Sequence, residues 1–483
     1  MTVARLLLGA AVVLAATLWL ARKYADRLGR RAALRFRSRI DRYKLARRRF
    51  VRDRLLADPG IAAAVRDHAT AHGVSERDAW KRVHDYVTEI VPFFNIVAYY
   101  QIGYRVAKVL LRMFYNVTVE HEQGGHEPRR PPRDAVLVYL MNHRSNADYI
   151  VVSYALAGQV AISYAVGEWA RAVPLEHMFK AFGSYFIRRR YREPLYHTVL
   201  ERYVQQITRM GVTQGIFLEG GLTRDGKLKS PKIGLLDYVL GIGHDPSYHA
   251  RLYVIPVALN YDRVLEDRSL IRELAVRAGE TRPGRLRQLS EVLSYVGWNL
   301  LRIATGRWRR YGRAAVVVGS PAPLDPWFAA NPDLFSLSRP ERLARVQALC
   351  DSVMDRIGRL VPVTPVPLVS AAVQSFDRDY VPRDLLLGRM AEMRDALVEL
   401  NSRVVRADRT TEETLDVAMT MLRMRRILWE QGDGFVVSPR NRELVSFYAN
   451  SIAHLLGPFA AAIRARDALP VDAVAGELSG RAR

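Results

Sequence analysis

Three short polar clusters combine residue types and spacings that can do chemistry, and each directly follows an apolar run. The first is Asn142-His143-Arg144-Ser145-Asn146-Ala147-Asp148, behind Val136–Leu140. Four residues separate His143 from Asp148. A strand-to-helix turn can close that gap, letting the carboxylate hold the imidazole in one tautomer. The other ring nitrogen can then take a proton from a hydroxyl. The competing reading is a helix-capping Asp148 beside an unrelated histidine, since a chain with 11 His has chance pairs. The second cluster, Gly183-Ser184-Tyr185-Phe186-Ile187-Arg188-Arg189-Arg190, sets guanidiniums at the end of a β-like run. Their planar forks suit phosphate oxygens, although a solvated strand end is the plainer alternative. The third is Phe217-Leu218-Glu219-Gly220-Gly221-Leu222-Thr223-Arg224. Gly220 and Gly221 allow close backbone approach to a ligand. Glu219 either fixes a substrate or scaffolds the loop. Arg224, with Lys227, Lys229 and Lys232, extends a basic rim.

The elements that must position these clusters alternate between β-like and helical runs. Ala135–Leu140, Val160–Val166, Ser184–Ile187, Gly215–Leu218, Leu252–Leu259 and Ala314–Val318 read as strands. Tyr149–Leu156, Leu195–Met210 and Gly234–Leu240 read as helices between them. The alternation predicts an α/β domain over residues 121–325 with one sheet. Pro256, inside the run Val254–Leu259, suggests a sheet edge or a strand start. Helical regions flank the domain. Ala62 to about Val117 reads as helices interrupted at Val91-Pro92, giving an N-terminal region of residues 57–120, and His121–Arg133 reads as a loop. Residues 326–483 read as a second helical region, with helices at Pro340–Leu360, Arg383–Arg406, Thr411–Glu430 and Asn441–Arg464 and a short strand at Phe435–Val437.

The chain has 483 residues and a net charge of +24, which calls for an anionic partner. Cys350, the single cysteine, excludes an intramolecular disulfide framework and any cysteine-based metal cluster. Leu6–Ala21 carries no charge and, as a helix, reaches about 24 Å. It reads as a membrane anchor, with an interfacial helix and a cleaved signal peptide as alternatives. Arginine and lysine after Ala21 then put the remainder at the cytoplasmic face of the inner membrane. Residues 22–56 form a basic juxtamembrane segment. Arg22–Arg54 holds 15 Lys/Arg and only Asp26, Asp41 and Asp53, interleaved with Leu28, Leu34, Phe36, Ile40, Tyr43 and Leu45. That pattern fits an amphipathic helix on anionic lipid better than a solvated linker or a nucleic-acid site, and nucleic acid is not expected as a partner. Leu289–Ile303, followed by Arg307, Arg309 and Arg310, is either a second interfacial helix or an ordinary packed one. His121 and His126 are spaced for a weak metal site but read as incidental, so no metal is assigned.

Taken in order, His-x4-Asp, Gly-x-x-Phe-Ile-Arg-Arg, Phe-x-Glu-Gly-Gly-x-x-Arg and an apolar run with Ile255-Pro256 resemble the four blocks of the glycerolipid acyltransferases. Phe186-Ile187-Arg188-Arg189, with Leu195-Tyr196 downstream, resembles the glycerol-3-phosphate and dihydroxyacetone-phosphate acyltransferases rather than the shorter lysophosphatidate enzymes. The stretch Arg442-Glu443-Leu444 to Phe447-Tyr448-Ala449-Asn450-Ser451-Ile452-Ala453-His454 is similar to the C-terminal region of the bacterial membrane-bound glycerol-3-phosphate enzymes. One departure stands out. Leu222 and Thr223 occupy the positions where that family's third block has an arginine and a serine, leaving only Arg224.

The resemblance implies an O-acyltransferase that moves a fatty acyl group from a thioester to glycerol 3-phosphate in phospholipid synthesis. It implies His143 as general base and Asp148 as its orienting partner. It implies Arg188, Arg189 and Arg224 on the acceptor phosphate, and Glu219, Gly220 and Gly221 around the acceptor. No cofactor is implied; acyl-CoA or acyl carrier protein serves as co-substrate, and anionic membrane lipids are partners. Dihydroxyacetone phosphate or a lysophospholipid as acceptor, and a non-catalytic lipid-binding protein, remain as alternatives.

Overall fold

The computed structural model describes residues 48–93, 103–122, 131–132, 134–157, 160–167, 175–188, 191–277, 305, 310–376, 378–457 and 459. The apolar run Leu6–Ala21, most of the basic segment, Arg189, His126 and Leu289–Ile303 lie outside the described residues. No helix among the described residues is long and apolar enough to cross a membrane.

Helices α1 (Arg48–Leu56), α2 (Pro59–His72), α3 (Glu76–Ile90) and α4 (Tyr104–Phe114) lead into β1 (Asn116–His121) and β2 (Val136–Met141). Then come α5 (Asp148–Leu156), β3 (Ser163–Gly167), α6 (Leu175–Ala181), β4 (Tyr185–Ile187), α7 (Pro194–Arg209), β5 (Gln214–Phe217), α8 (Gly234–Leu240) and β6 (Leu252–Tyr261). They are followed by α9 (Asp267–Arg277), β7 (Arg313–Val318), β8 (Ala322–Pro323), α10 (Asp325–Ala329) and α11 (Arg339–Leu360). The C-terminal part holds α12 (Pro365–Gln374), β9 (Tyr380–Pro382), α13 (Arg383–Glu399), α14 (Thr411–Met424), β10 (Leu428–Gln431), β11 (Gly434–Val437) and α15 (Arg442–Asn450).

All six residues of β2 are apolar and buried. Leu137, Tyr139 and Met141 enter one core, while Val136, Val138 and Leu140 enter another. An apolar run with no polar alternation is what a strand covered on both faces requires. One face is packed by α1, α2, α3, α7, α8 and α11, through residues such as Val51, Val65, Val83, Tyr203, Leu236 and Ile357. The other is packed by α5 and the C-terminal helices, through Val152, Val369, Met390, Leu415 and Phe447.

The main sheet runs β1-β7-β6-β2-β5-β3-β4, with β8 also on β6. Strands β6, β2, β5, β3 and β4 are mutually parallel, and β7 runs antiparallel to β6. From β2 the chain moves outward to β3 and β4, returns to β5, then crosses β2 to reach β6. The C-terminal ends of β2 and β5 therefore flank the point where strand order reverses, the crevice that open α/β sheets offer to ligands.

The α/β domain with helical flanks is as expected, with local corrections. Asn116–His121, read as the end of the N-terminal helical region and the first residue of the loop, is instead strand β1, paired in parallel with β7. The β-branched Val117-Thr118-Val119 favours the pleated form, and no Gly or Pro marks the change from helix. Pro256 sits in the middle of the sheet, not at its edge. Its missing N–H falls where β6 changes partner, from β8 at Tyr253–Val254 to β7 at Val257. There Gly319 N–H donates to the Pro256 carbonyl at 2.8 Å. The helix read over Thr411–Glu430 ends at Met424, because Arg426 turns left-handed (φ 54°) and the chain re-enters as β10. Likewise Arg383–Arg406 stops at Glu399, before the left-handed Asn401. Prolines hid α12; Pro365 and Pro367 sit in its first turn, where a missing N–H costs little. The end of the basic segment, α1, buries Val51 and Leu55 against protein.

Candidate active site

The first cluster folds as its spacing suggests. Asn142 closes β2 by pairing with β6: Nδ2 donates to the Leu259 carbonyl (3.0 Å) and Leu259 N–H donates to Oδ1 (2.8 Å). The chain then turns tightly into α5, whose first residue is Asp148. The turn puts His143 Nδ1 at 2.9 Å from Asp148 Oδ2. That same oxygen accepts the backbone N–H groups of Arg144 (2.7 Å) and Ser145 (3.0 Å). Asp148 Oδ1 accepts the hydroxyl of Tyr261, at the end of β6, at 2.5 Å. Burial, with the Asp148 charge beside it, holds the Tyr261 phenol well above its ordinary range, so it serves as a donor. Four donors thus fix one carboxylate, and the carboxylate fixes the ring. The imidazole also stacks on Phe217 (4.1 Å between centroids) and meets Tyr149 edge-on (5.6 Å). Both His143 and Asp148 are almost wholly buried.

The third cluster clamps the first. Glu219 Oε1 accepts His143 N–H at 2.8 Å, and Oε2 accepts Lys229 N–H at 3.2 Å. Thr223 N–H reaches the His143 carbonyl at 3.4 Å. Burial pushes the Glu219 carboxyl up to about 7, against the pull of the Arg144 charge and of its hydrogen bonds. Glu219 is a scaffold of the two loops, one of the two roles its sequence left open. Gly220 adopts φ 64°, and its N–H closes the turn onto the Phe217 carbonyl. The Gly221 carbonyl accepts from Lys229 Nζ at 3.3 Å. Leu222 packs at the margin of the apolar core. Arg224 projects from the same loop, pairing with Glu273 of α9 at 2.9 Å.

The second cluster stands apart. Its strand, β4, lies three places from β2 in the sheet, about 14 Å at the usual strand spacing. Arg188 is turned toward the N-terminal helices. It forms a two-pronged ion pair with Glu89 of α3 (2.6 and 2.9 Å). Its guanidinium also lies 4.8–5.6 Å from the ring centroids of Tyr86, Tyr191 and Tyr196. Arg188 thus holds α3 to the sheet.

Two further residues complete the site. Tyr261 had no local signal, because it reaches Asp148 across the strands; only its position at the end of a β-run marks it. Arg144 lies inside the motif yet is fully buried, its guanidinium donating to the carbonyls of Gly226 and, at 3.2 Å, Ser451.

Residues 124–260 match the family described as Acyltransferase, and residues 297–473 match the one described as Glycerol-3-phosphate acyltransferase C-terminal region. Over these two stretches the chain is similar to acyltransferases, and over the second to the C-terminal region of glycerol-3-phosphate acyltransferases. Among similar proteins, the one named glycerol-3-phosphate acyltransferase from Pasteurella multocida is 28% identical, over 85% of this chain and 50% of its own length. That from Actinobacillus succinogenes is 26% identical, over 90% of this chain and 53% of its own. The chain spans about half the length of these relatives. A solved structure from Thermotoga maritima, described as 1-acyl-sn-glycerophosphate (LPA) acyltransferase, is 18% identical over 54% of this chain and 80% of that one. Its TM-score of 0.30 is too low to bear on the fold of this chain. The stretch similar to the family's C-terminal region, Arg442–His454, packs onto the third block, with Asn450 Nδ2 donating to the Asp225 carbonyl at 2.8 Å.

Proposed function

We propose that the chain is a glycerol-3-phosphate 1-O-acyltransferase acting at the cytoplasmic face of a membrane. The observation that carries the proposal is the His143–Asp148 pair, held by Tyr261 and two backbone amides at the strand-order reversal of the sheet. In this reading the acceptor hydroxyl approaches Nε2 of His143, which takes its proton as the oxygen attacks the thioester carbonyl. Asp148 stabilises the imidazolium through Nδ1. The tetrahedral intermediate collapses, the carbon–sulfur bond breaks, and His143 returns the proton to the leaving thiolate. No acyl-enzyme forms.

The glycine turn contributes positioning. The Gly220 amide is engaged in the turn, so the Gly221 amide is the better donor for the oxyanion. In this reading Arg224 of the third block exchanges Glu273 for the acceptor phosphate, and Arg189 of the second block shares that role. Residues 1–47, with their apolar run and basic stretch, would bring the enzyme to anionic lipid.

Acyl transfer by the purified chain from palmitoyl-CoA, and from palmitoyl-acyl carrier protein, to glycerol 3-phosphate, dihydroxyacetone phosphate and lysophosphatidate tests the proposal. Turnover with glycerol 3-phosphate, lost in His143→Ala, is expected. Turnover with another acceptor alone would transfer the specificity to Leu222, and silence with all of them would refute the enzymatic reading.

A further inference from the structure

Arg144 is the largest fully buried side chain among the described residues. Its guanidinium donates to two backbone carbonyls, those of Gly226 and Ser451, from segments far apart in the chain. Burying a cation costs several kcal/mol, and a methionine would fill the same volume more cheaply. What a guanidinium adds is a rigid fork that sets two acceptors at a fixed angle. Its two acceptors lie on a tight seam. Gly226 (φ 84°) lies so close to the Phe447 carbonyl that an added Cβ would sit 1.9 Å from that oxygen. Asn450 bonds the Asp225 carbonyl across the same seam, and Asn260 Nδ2 bonds Ser451 Oγ at 3.2 Å. The same Arg144 gives its backbone N–H to Asp148 Oδ2, the oxygen that holds His143.

We infer that Arg144 is a positioning residue that makes Phe447–His454, in the C-terminal region, part of the catalytic constellation. Its backbone sets Asp148, and its side chain is set by the docked C-terminal segment. The orientation of the imidazole therefore depends on residues some 300 positions downstream, so loosening the seam loosens the base. This rests on the acyl-transfer reading for its kinetic arm only.

Two variants of the full chain separate the possibilities. Arg144→Lys keeps the charge but lacks the fork; Asn450→Ala cuts one bond of the seam without touching the turn. Native-state hydrogen exchange is read on peptides covering residues 142–148 and 447–454, with α2 and α7 as references. Acyl transfer from palmitoyl-CoA to glycerol 3-phosphate is followed against pH. In Arg144→Lys both site peptides are expected to exchange at least about tenfold faster while the references hold. The kcat falls about tenfold or more with the acceptor KM little changed, and the acid limb moves. Asn450→Ala gives the same changes in smaller measure. Faster exchange confined to residues 447–454, with kcat and acid limb unmoved, would overturn the inference. If the wild-type chain transfers no acyl group, joint exchange of the two peptides still upholds the coupling while the proposed reaction fails. If Arg144→Lys does not fold, Asn450→Ala decides alone.

Discussion

Tyr261→Phe isolates one of the four donors on Asp148. It deletes the hydroxyl that lies 2.5 Å from Oδ1 and leaves the ring, which packs against Tyr115 at 5.5 Å between centroids. A hydrogen bond to an ionised group contributes about 1.5–3 kcal/mol. Without it the carboxylate becomes a stronger acceptor for the imidazolium on its other oxygen. If the whole amount reached the imidazole, its titration would rise by about 1–2 pH units. Three donors remain on Oδ2, so about half of that is expected: an upward shift of about 0.5–1 unit in the acid limb of kcat/KM. A more basic imidazole is the better proton acceptor, so the plateau kcat is expected to fall by less than about tenfold, from imperfect ring placement alone. The assay is initial-rate acyl transfer from palmitoyl-CoA between pH 5 and 9, with folding checked by near-UV circular dichroism. An acid limb that stays in place while the fold is intact would refute the argument that Tyr261 tunes the base through Asp148.

Other outcomes follow from the same geometry. Arg188→Ala should lower stability by about 1–3 kcal/mol through the lost Glu89 pair, with the glycerol 3-phosphate KM nearly unchanged; a large rise in KM without loss of stability would make Arg188 a phosphate ligand instead. Glu219 titrates near 7 in the fold, so its contribution is fully present below about 4.5 and is lost as pH rises through 7. Denaturant titrations of Glu219→Gln should therefore gain on wild type by up to about 3 kcal/mol between pH 4.5 and 7, and a flat difference would contradict the buried-carboxylate account. Burial, with the Arg144 charge adding to it, holds His454 down to about 4 while its Nε2 bonds the Gly358 carbonyl at 3.0 Å. That contribution is present above pH 6.5 and is lost as pH falls through 4, so proteolysis of the C-terminal segment should accelerate over that acid window and not in His454→Gln.

The parts of the site legible in the sequence are those whose geometry is local. His143 and Asp148 meet because only four residues separate them within the turn from β2 into α5, and a motif records that directly. Glu219 was visible as a strand-end acid, but its two roles could be told apart only by seeing that His143 N–H and Lys229 N–H occupy it. Arg188 was misleading because an arginine at a strand end looks alike whether phosphate or Glu89 lies opposite; α3, which supplies the glutamate, is 99 residues upstream. Tyr261 and the carbonyl of Ser451 were illegible, since their partners Asp148 and Arg144 are far away in the sequence. The fold followed the same division. Runs such as Val136–Met141 stood out because both faces are buried, whereas β1 and β10 were lost among neighbouring helical patterns without a breaking residue.

Strand β2 divides two cores, and the coverings of its faces are made at different times. The face bearing Val136, Val138 and Leu140 finds α1, α2 and α3 already synthesised. The face bearing Leu137, Tyr139 and Met141 waits for Leu368, Met390, Leu415 and Phe447. Edge strand β1 likewise waits for β7 before it has any partner in the sheet. Roughly 300 residues separate Met141 from Ile452, which at a usual rate of translation is about 15–60 seconds. Throughout that interval the nascent chain has this apolar face covered only in part, by α5, and carries unpaired strand edges. Such surface favours aggregation, so co-expression with a holding chaperone is expected to raise the yield of folded chain.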